Sequence, residues 1–139
     1  METRDLATEL AAGIRDGQLS AVFQPQISLE TGRIVAAEGL CRWNHPELGA
    51  VPPDRFIPLA EQSGTIHAIG QFMIDECIAA ADRWSDKVAR IEMSVNVSPL
   101  QLTASFADEL RTRWRRRNLP MDSLTLEITE SLPVDDLEA

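Results

Sequence analysis

Cysteine is scarce in this sequence: Cys41 and Cys77 stand alone among 139 residues, with no CxxC pair. That excludes a dense disulfide framework, suits a reducing compartment and argues against a zinc site. Both thiols are expected in the core. There is no run of eighteen apolar residues, so no spanning helix is expected. The opening METRDLATEL is neither a signal peptide nor a basic transit peptide, and a cytoplasmic location is expected. Positive charge is also short, with 13 Lys and Arg against 22 Asp and Glu, a net charge of −9. Nucleic acids and anionic membranes are bound by basic faces, so neither DNA or RNA nor direct membrane insertion is expected of this chain.

What is present is an ordinary globular composition, 44% hydrophobic and 25% charged, enough to bury a core in one domain. Leu6, Leu10, Ala11 and Ile14 recur at helical spacing within 5–16, and Gly17 suits a stop. LSAVFQPQISL reads as a strand and ETGRI as the turn of a hairpin into IVAAEGLCRW. NHPELGAVPPD reads as a loop. A short helix follows over 55–62, then a longer one over about 65–84 with Ile66, Ile69, Met73, Cys77, Ala81 and Trp84 on one side. RIEMSVNVS is a strand, and Ser98 with Pro99 reads as a helix cap followed by proline at the first helical position. Ser105 and Asp108 open a helix through Arg117, and SLTLEITES is the last strand. Hairpin, helices, strand, helix, strand is the order of βα units on a mostly parallel sheet, an α/β fold.

Strand alternation puts Glu38 and Arg42 on one face of IVAAEGLCRW. Four residues of strand part them by roughly 13 Å, too far for direct pairing. A carboxylate on an otherwise apolar face calls for a cationic partner from elsewhere. Asn96 and Glu127 each stand on the more polar face of a later strand. In parallel α/β sheets such residues converge at the C-terminal strand ends. Two carboxylates and a carboxamide are hard oxygen donors suited to Mg²⁺ or Mn²⁺, and such an ion would be the missing partner of Glu38. Polar residues bonded to neighbouring backbone would give the same pattern, and spacing alone leaves both readings open.

The words EGLCRW, HPELGAVPPDRFIPLAE, SVNVSP and LEITES, in this order, closely resemble the EAL-domain family of cyclic di-GMP phosphodiesterases. The likeness runs from about Leu19 to Leu132, leaving residues 1–18 as a lead-in helix and 19–139 as the N-terminal portion of such a domain. The resemblance implies a TIM-like (β/α) barrel that uses Mg²⁺ or Mn²⁺ to hydrolyse cyclic di-GMP to pGpG. It implies that Glu38, Asn96 and Glu127 are catalytic metal ligands. Gln24, Leu40 and Arg42 resemble substrate-binding positions, with Arg42 placed to meet phosphate. Glu130 resembles a glutamate that steadies a catalytic loop. The guanidinium fork suits phosphate oxygens and accounts for an acidic chain binding an anion.

The chain departs from the pattern in two ways. Gly39 stands where the signature tripeptide usually has alanine, with its α-carbon turned away from the site, so a small loss of strand stability is expected. A (β/α)₈ barrel also takes about 250 residues. The family's later aspartate pair, lysine, glutamate and glutamine have no counterpart, and Asp135 and Asp136 are not matched to that pair. About the first half of a barrel is therefore expected, whose apolar sheet edge invites self-association, as in a homodimer, or a partner. Two functions stay open: a metal-dependent phosphodiesterase domain, incomplete in this chain, and a non-catalytic module that binds cyclic di-GMP or a protein. His45 and His67 lack ligand spacing, the arginines of RTRWRRRN read as a solvated helix face, Trp43, Trp84 and Trp114 read as packing, and Glu61 is left out of the site.

Overall fold

The computed structural model describes residues 5–84 and 91–128. Its elements are α1 (Leu6–Arg15), β1 (Leu19–Ile27), β2 (Ile34–His45), β3 (Gly49–Val51), α2 (Pro53–Ser63), α3 (Ile66–Trp84), β4 (Glu92–Val97), α4 (Ala104–Arg116) and β5 (Leu124–Ile128). Single 3₁₀ turns, Pro99–Gln101 and Met121–Ser123, flank α4. The sheet runs β1-β2-β4-β5, with β3 attached to β2. β1 and β3 are antiparallel to β2, whereas β2, β4 and β5 are mutually parallel. This is the α/β arrangement expected of a hairpin that leads into βα units.

The helices cover one side of the sheet. Ala37 and Trp43 of β2, and Met93, Val95 and Val97 of β4, are buried with Phe56 of α2 and Ile69, Met73 and Cys77 of α3. Alternation along each strand assigns this face. Leu10 of α1 and Trp114 of α4 complete the same core, so the lead-in helix packs with the sheet. Asp5 caps α1, its carboxylate accepting from the Thr8 amide at 3.2 Å and the Thr8 hydroxyl at 2.7 Å.

Three local expectations need correction. The stretch taken as a loop carries the end of β2 and all of β3, paired Trp43↔Val51 to His45↔Gly49. His45 holds the turn between them, since its Nδ1 accepts from the amides of Glu47 and Leu48 at 3.0 and 3.1 Å. The following helix starts at Pro53, because Pro52 supplies its carbonyl to the amides of Arg55 and Phe56. α4 is capped by Thr103 rather than Ser105. The Thr103 hydroxyl accepts from the Phe106 amide at 3.1 Å, and Ser105 lies inside the first turn.

The bland readings hold for the aromatic and basic residues. Trp43 and Trp114 are fully buried, with indole N–H groups donating to Gln18 Oε1 and the Pro120 carbonyl. Trp84 meets Phe23 edge-on at 5.3 Å. Arg111, Arg113 and Arg117 pair with Asp108, Asp75 and Asp82, the last two pairs joining α4 to α3. Among the described residues no helix is long and apolar enough to cross a membrane.

Candidate metal and phosphate site

The sheet face opposite the helical layer carries the residues singled out from sequence. Strand register sets their levels. Gln24 of β1 pairs with Glu38 of β2, Glu38 with Ser94 of β4, and Ser94 with Thr125 of β5. One step on, Asn96 pairs with Glu127. Asn96 and Glu127 are each the next-to-last residue of their strands, at the C-terminal rim where functional groups gather in parallel sheets.

One bond joins this set directly: Asn96 Nδ2 donates to Glu38 Oε2 at 3.1 Å, across 58 residues of chain. It gives Glu38 a polar partner and fixes the orientation of the carboxamide, with Nδ2 engaged and Oδ1 left as the oxygen donor. Among the described residues no ion pair joins Glu38 to Arg42, as strand spacing requires. The Arg42 guanidinium instead bonds the Cys41 carbonyl at 3.4 Å. Glu38, Leu40 and Arg42 are half-buried, whereas Gln24, Asn96 and Glu127 are exposed.

A cleft of about 160 Å³ opens at the same rim. Leu40, Arg42 and Asn96 line it from the strands, and Ile57, Ile69 and Met73 from α2 and α3. Gln24, Glu38 and Glu127 do not line it. Cys41 also reaches this cleft, but burial pushes its thiol up to about 12, which keeps it protonated and poorly nucleophilic at neutral pH.

The donor set fits a hard divalent ion. Two carboxylates and one carboxamide offer oxygen alone, and Mg²⁺ or Mn²⁺ takes water in its remaining positions. Among the described residues no three His, Cys, Asp or Glu side chains cluster as ligands, so the set pairs at most two carboxylates with the carboxamide of Asn96. His45 sits buried at the end of β2, with Nε2 2.9 Å from Glu9, and His67 lies exposed on α3. Glu130, Asp135 and Asp136 lie outside the described residues.

Glu61 of α2, set aside from sequence, lies at the end of β4. Its Oε2 accepts from the Ser98 hydroxyl at 2.5 Å. Helical periodicity around Glu61 carries no sign of a partner 37 residues away.

A family model described as EAL domain matches residues 7–139. The bifunctional diguanylate cyclase/cyclic di-GMP phosphodiesterase MucR of Pseudomonas aeruginosa is 34% identical over 140 residues, covering 99% of this chain and 20% of that protein. The cyclic di-GMP phosphodiesterase PA2567 of the same organism is 32% identical over 130 residues, covering 93% and 22% respectively. The solved structure of the PaMucR phosphodiesterase in complex with c-di-GMP matches with a TM-score of 0.81 at 33% identity. That match covers 95% of this chain and 55% of the other. The chain thus spans about a fifth of these curated relatives and about half of the solved one.

Proposed function

This chain belongs to the EAL-domain family, and from that premise we propose that it supplies part of a metal-dependent site that binds cyclic di-GMP and hydrolyses it to pGpG. The fold is that of a TIM-like barrel, of which the chain provides about half. The observation that carries the proposal is the bond from Asn96 to Glu38 at 3.1 Å, with Glu127 in register beside Asn96. That bond and that register pair support the reading by relating oxygen-bearing residues of three neighbouring strands.

In this reading Glu38, Asn96 and Glu127 hold Mg²⁺ or Mn²⁺ through oxygen. When bound, such an ion lowers the pKa of a water and offsets charge developing on phosphate oxygens. Arg42 directs its fork to a phosphate of the dinucleotide, where a charge-assisted bidentate contact fixes orientation. Leu40 offers an apolar wall to a base, and Gln24 a carboxamide on the same face.

Incubation of the purified chain with cyclic di-GMP and Mg²⁺ or Mn²⁺, following pGpG by chromatography, tests this. Because the chain supplies part of the site, no product is expected from it alone, and metal-dependent product that disappears in Glu38→Ala is the expected result for a longer chain that completes the barrel. Product from this chain alone would mean that copies assemble a complete site, binding of cyclic di-GMP without product in the longer chain would make it a binding module, and product retained in Glu38→Ala there would remove the metal role of Glu38.

A further inference from the structure

Behind Asn96 the chain makes a second polar arrangement that ties the end of β4 to α2 and α3. Ser98 is 2% exposed and Gln101 is 4% exposed. The Ser98 hydroxyl donates to Glu61 Oε2 at 2.5 Å and accepts from the Leu100 amide at 3.3 Å. The Ser98 amide donates to Gln101 Oε1 at 2.9 Å. A hydroxyl has one proton, and the carboxylate of Glu61 is an acceptor, so that proton has a single direction. The Gln101 amide rests on α3 at Gly70, where an added β-carbon would lie 1.7 Å from Gln101 Nε2. Buried polar groups bonded in this way are rigid, because each lost bond leaves a desolvated partner behind.

The position of this latch matters more than its strength. Pairing between β2 and β4 ends at Gly39↔Val95, one residue before Asn96. On the β2 side, nothing in the ladder fixes Asn96 relative to Glu38. Ser98 follows Asn96 by two residues, with the buried Val97 between them, and Ser98 is where α2 takes hold of the strand end.

We propose that Glu61 is a positioning residue: by holding Ser98 it sets the C-terminal end of β4 and keeps the Asn96 carboxamide on Glu38. Its importance to function rests on the reading of Asn96 as an oxygen ligand. Its structural content does not, and the two are separable by experiment.

The test is the side-chain amide resonance of Asn96 in the ¹⁵N-labelled chain, assigned by its loss in Asn96→Asp. Glu61→Ala and Ser98→Ala are expected to shift this resonance and to speed its exchange with water several-fold. Glu61→Gln retains an acceptor oxygen and is expected to keep the parent signal. Thr103→Ala weakens the cap of α4 without touching the latch, and is expected to leave Asn96 unmoved. An unmoved Asn96 in Glu61→Ala, or an equal displacement in Thr103→Ala, overturns the proposal. Should Glu61→Ala fail to fold, Ser98→Ala carries the same comparison. A parallel Mn²⁺ titration is expected to lose about tenfold in affinity in Glu61→Ala, the lower end of what orienting partners of metal ligands contribute, and to recover in Glu61→Gln. A parent chain that binds no Mn²⁺ would end the metal reading, while the Asn96 resonance would still decide the role of Glu61.

Discussion

Gly39 faces the sulfur of Cys77: a β-carbon at position 39 would lie 2.9 Å from Cys77 Sγ, with Phe23 and Met73 at 3.4 and 3.5 Å. The glycine in the signature tripeptide is therefore fitted to its neighbour on α3, and the cost assigned to it from sequence has the wrong emphasis. Filling the site opposes two effects. Gly→Ala gains about 0.4–1 kcal/mol by restricting the unfolded chain. Overpacking a close-packed core costs about 1–3 kcal/mol. Cys77 is 1% exposed and has little room to move, so the second effect is expected to win. Gly39→Ala should lower stability in urea unfolding by roughly 1–2 kcal/mol, and Cys77→Ala in the same chain should recover most of it. A Gly39→Ala chain as stable as its parent would show that the helix yields without cost.

Arg42 tests the anion-binding half of the site separately from the metal half. A lysine keeps the charge and loses the fork. If Arg42 meets phosphate through two N–H groups, Arg42→Lys should weaken cyclic di-GMP binding about tenfold in calorimetry. Arg42→Ala should weaken it more, since bonds to charged groups are worth about 1.5–3 kcal/mol each. Equal affinity in the lysine variant would mean that Arg42 supplies charge alone. Unchanged affinity in the alanine variant would remove it from the site.

Both thiols give the chain an alkaline weakness. Burial pushes Cys41 and Cys77 from an ordinary 9.0 up to about 12, as each thiolate would be desolvated. The folded state thus holds on to protons that the unfolded chain releases, and the stability this provides is complete below about pH 9. It should fall as pH rises from 9 toward 12. Urea midpoints measured across that window should drop more steeply for the parent than for Cys41→Ala/Cys77→Ala. Parallel curves for the two chains would mean that neither thiol is desolvated in solution.

The legible part of this molecule was what strand and helix periods encode. Alternation put Glu38, Asn96 and Glu127 each on one side of its own strand, and the expected parallel order made those sides one face of the sheet. Turn chemistry was read less well. Gly49–Val51 is three residues of strand inside a Pro- and Gly-rich stretch, paired to β2 across a turn whose amides bond a histidine ring. Ser105 is the better capping residue by type, and backbone geometry selects Thr103 instead. The bond from Ser98 to Glu61 and the fit of Gly39 to Cys77 join residues 37 and 38 positions apart, through contacts that no local pattern announces. Such contacts decide how rigidly a legible site is held.

His45 carries the last expectation, and it concerns which ring nitrogen bears the proton. Nδ1 is approached by two backbone N–H groups, those of Glu47 and Leu48, at 3.0 and 3.1 Å. A nitrogen facing two donors must offer its lone pair, so in the neutral ring the proton resides on Nε2. From there it points to Glu9 Oε1 at 2.9 Å, joining the end of β2 to α1. A long-range ¹H–¹⁵N correlation spectrum should show a single Nε2–H tautomer, with Nδ1 at the shift of an unprotonated nitrogen. His45→Asn places an amide oxygen near the Nδ1 position and should preserve the β2–β3 turn better than His45→Leu, which fills the volume but leaves two turn amides without an acceptor. The gap between those variants in urea unfolding should be about 0.5–1.5 kcal/mol, the net worth of an intramolecular hydrogen bond, because Glu47 and Leu48 are exposed and water can reach their amides. A protonated Nδ1, or a leucine variant as stable as the asparagine one, would show that the turn is held by backbone pairing alone.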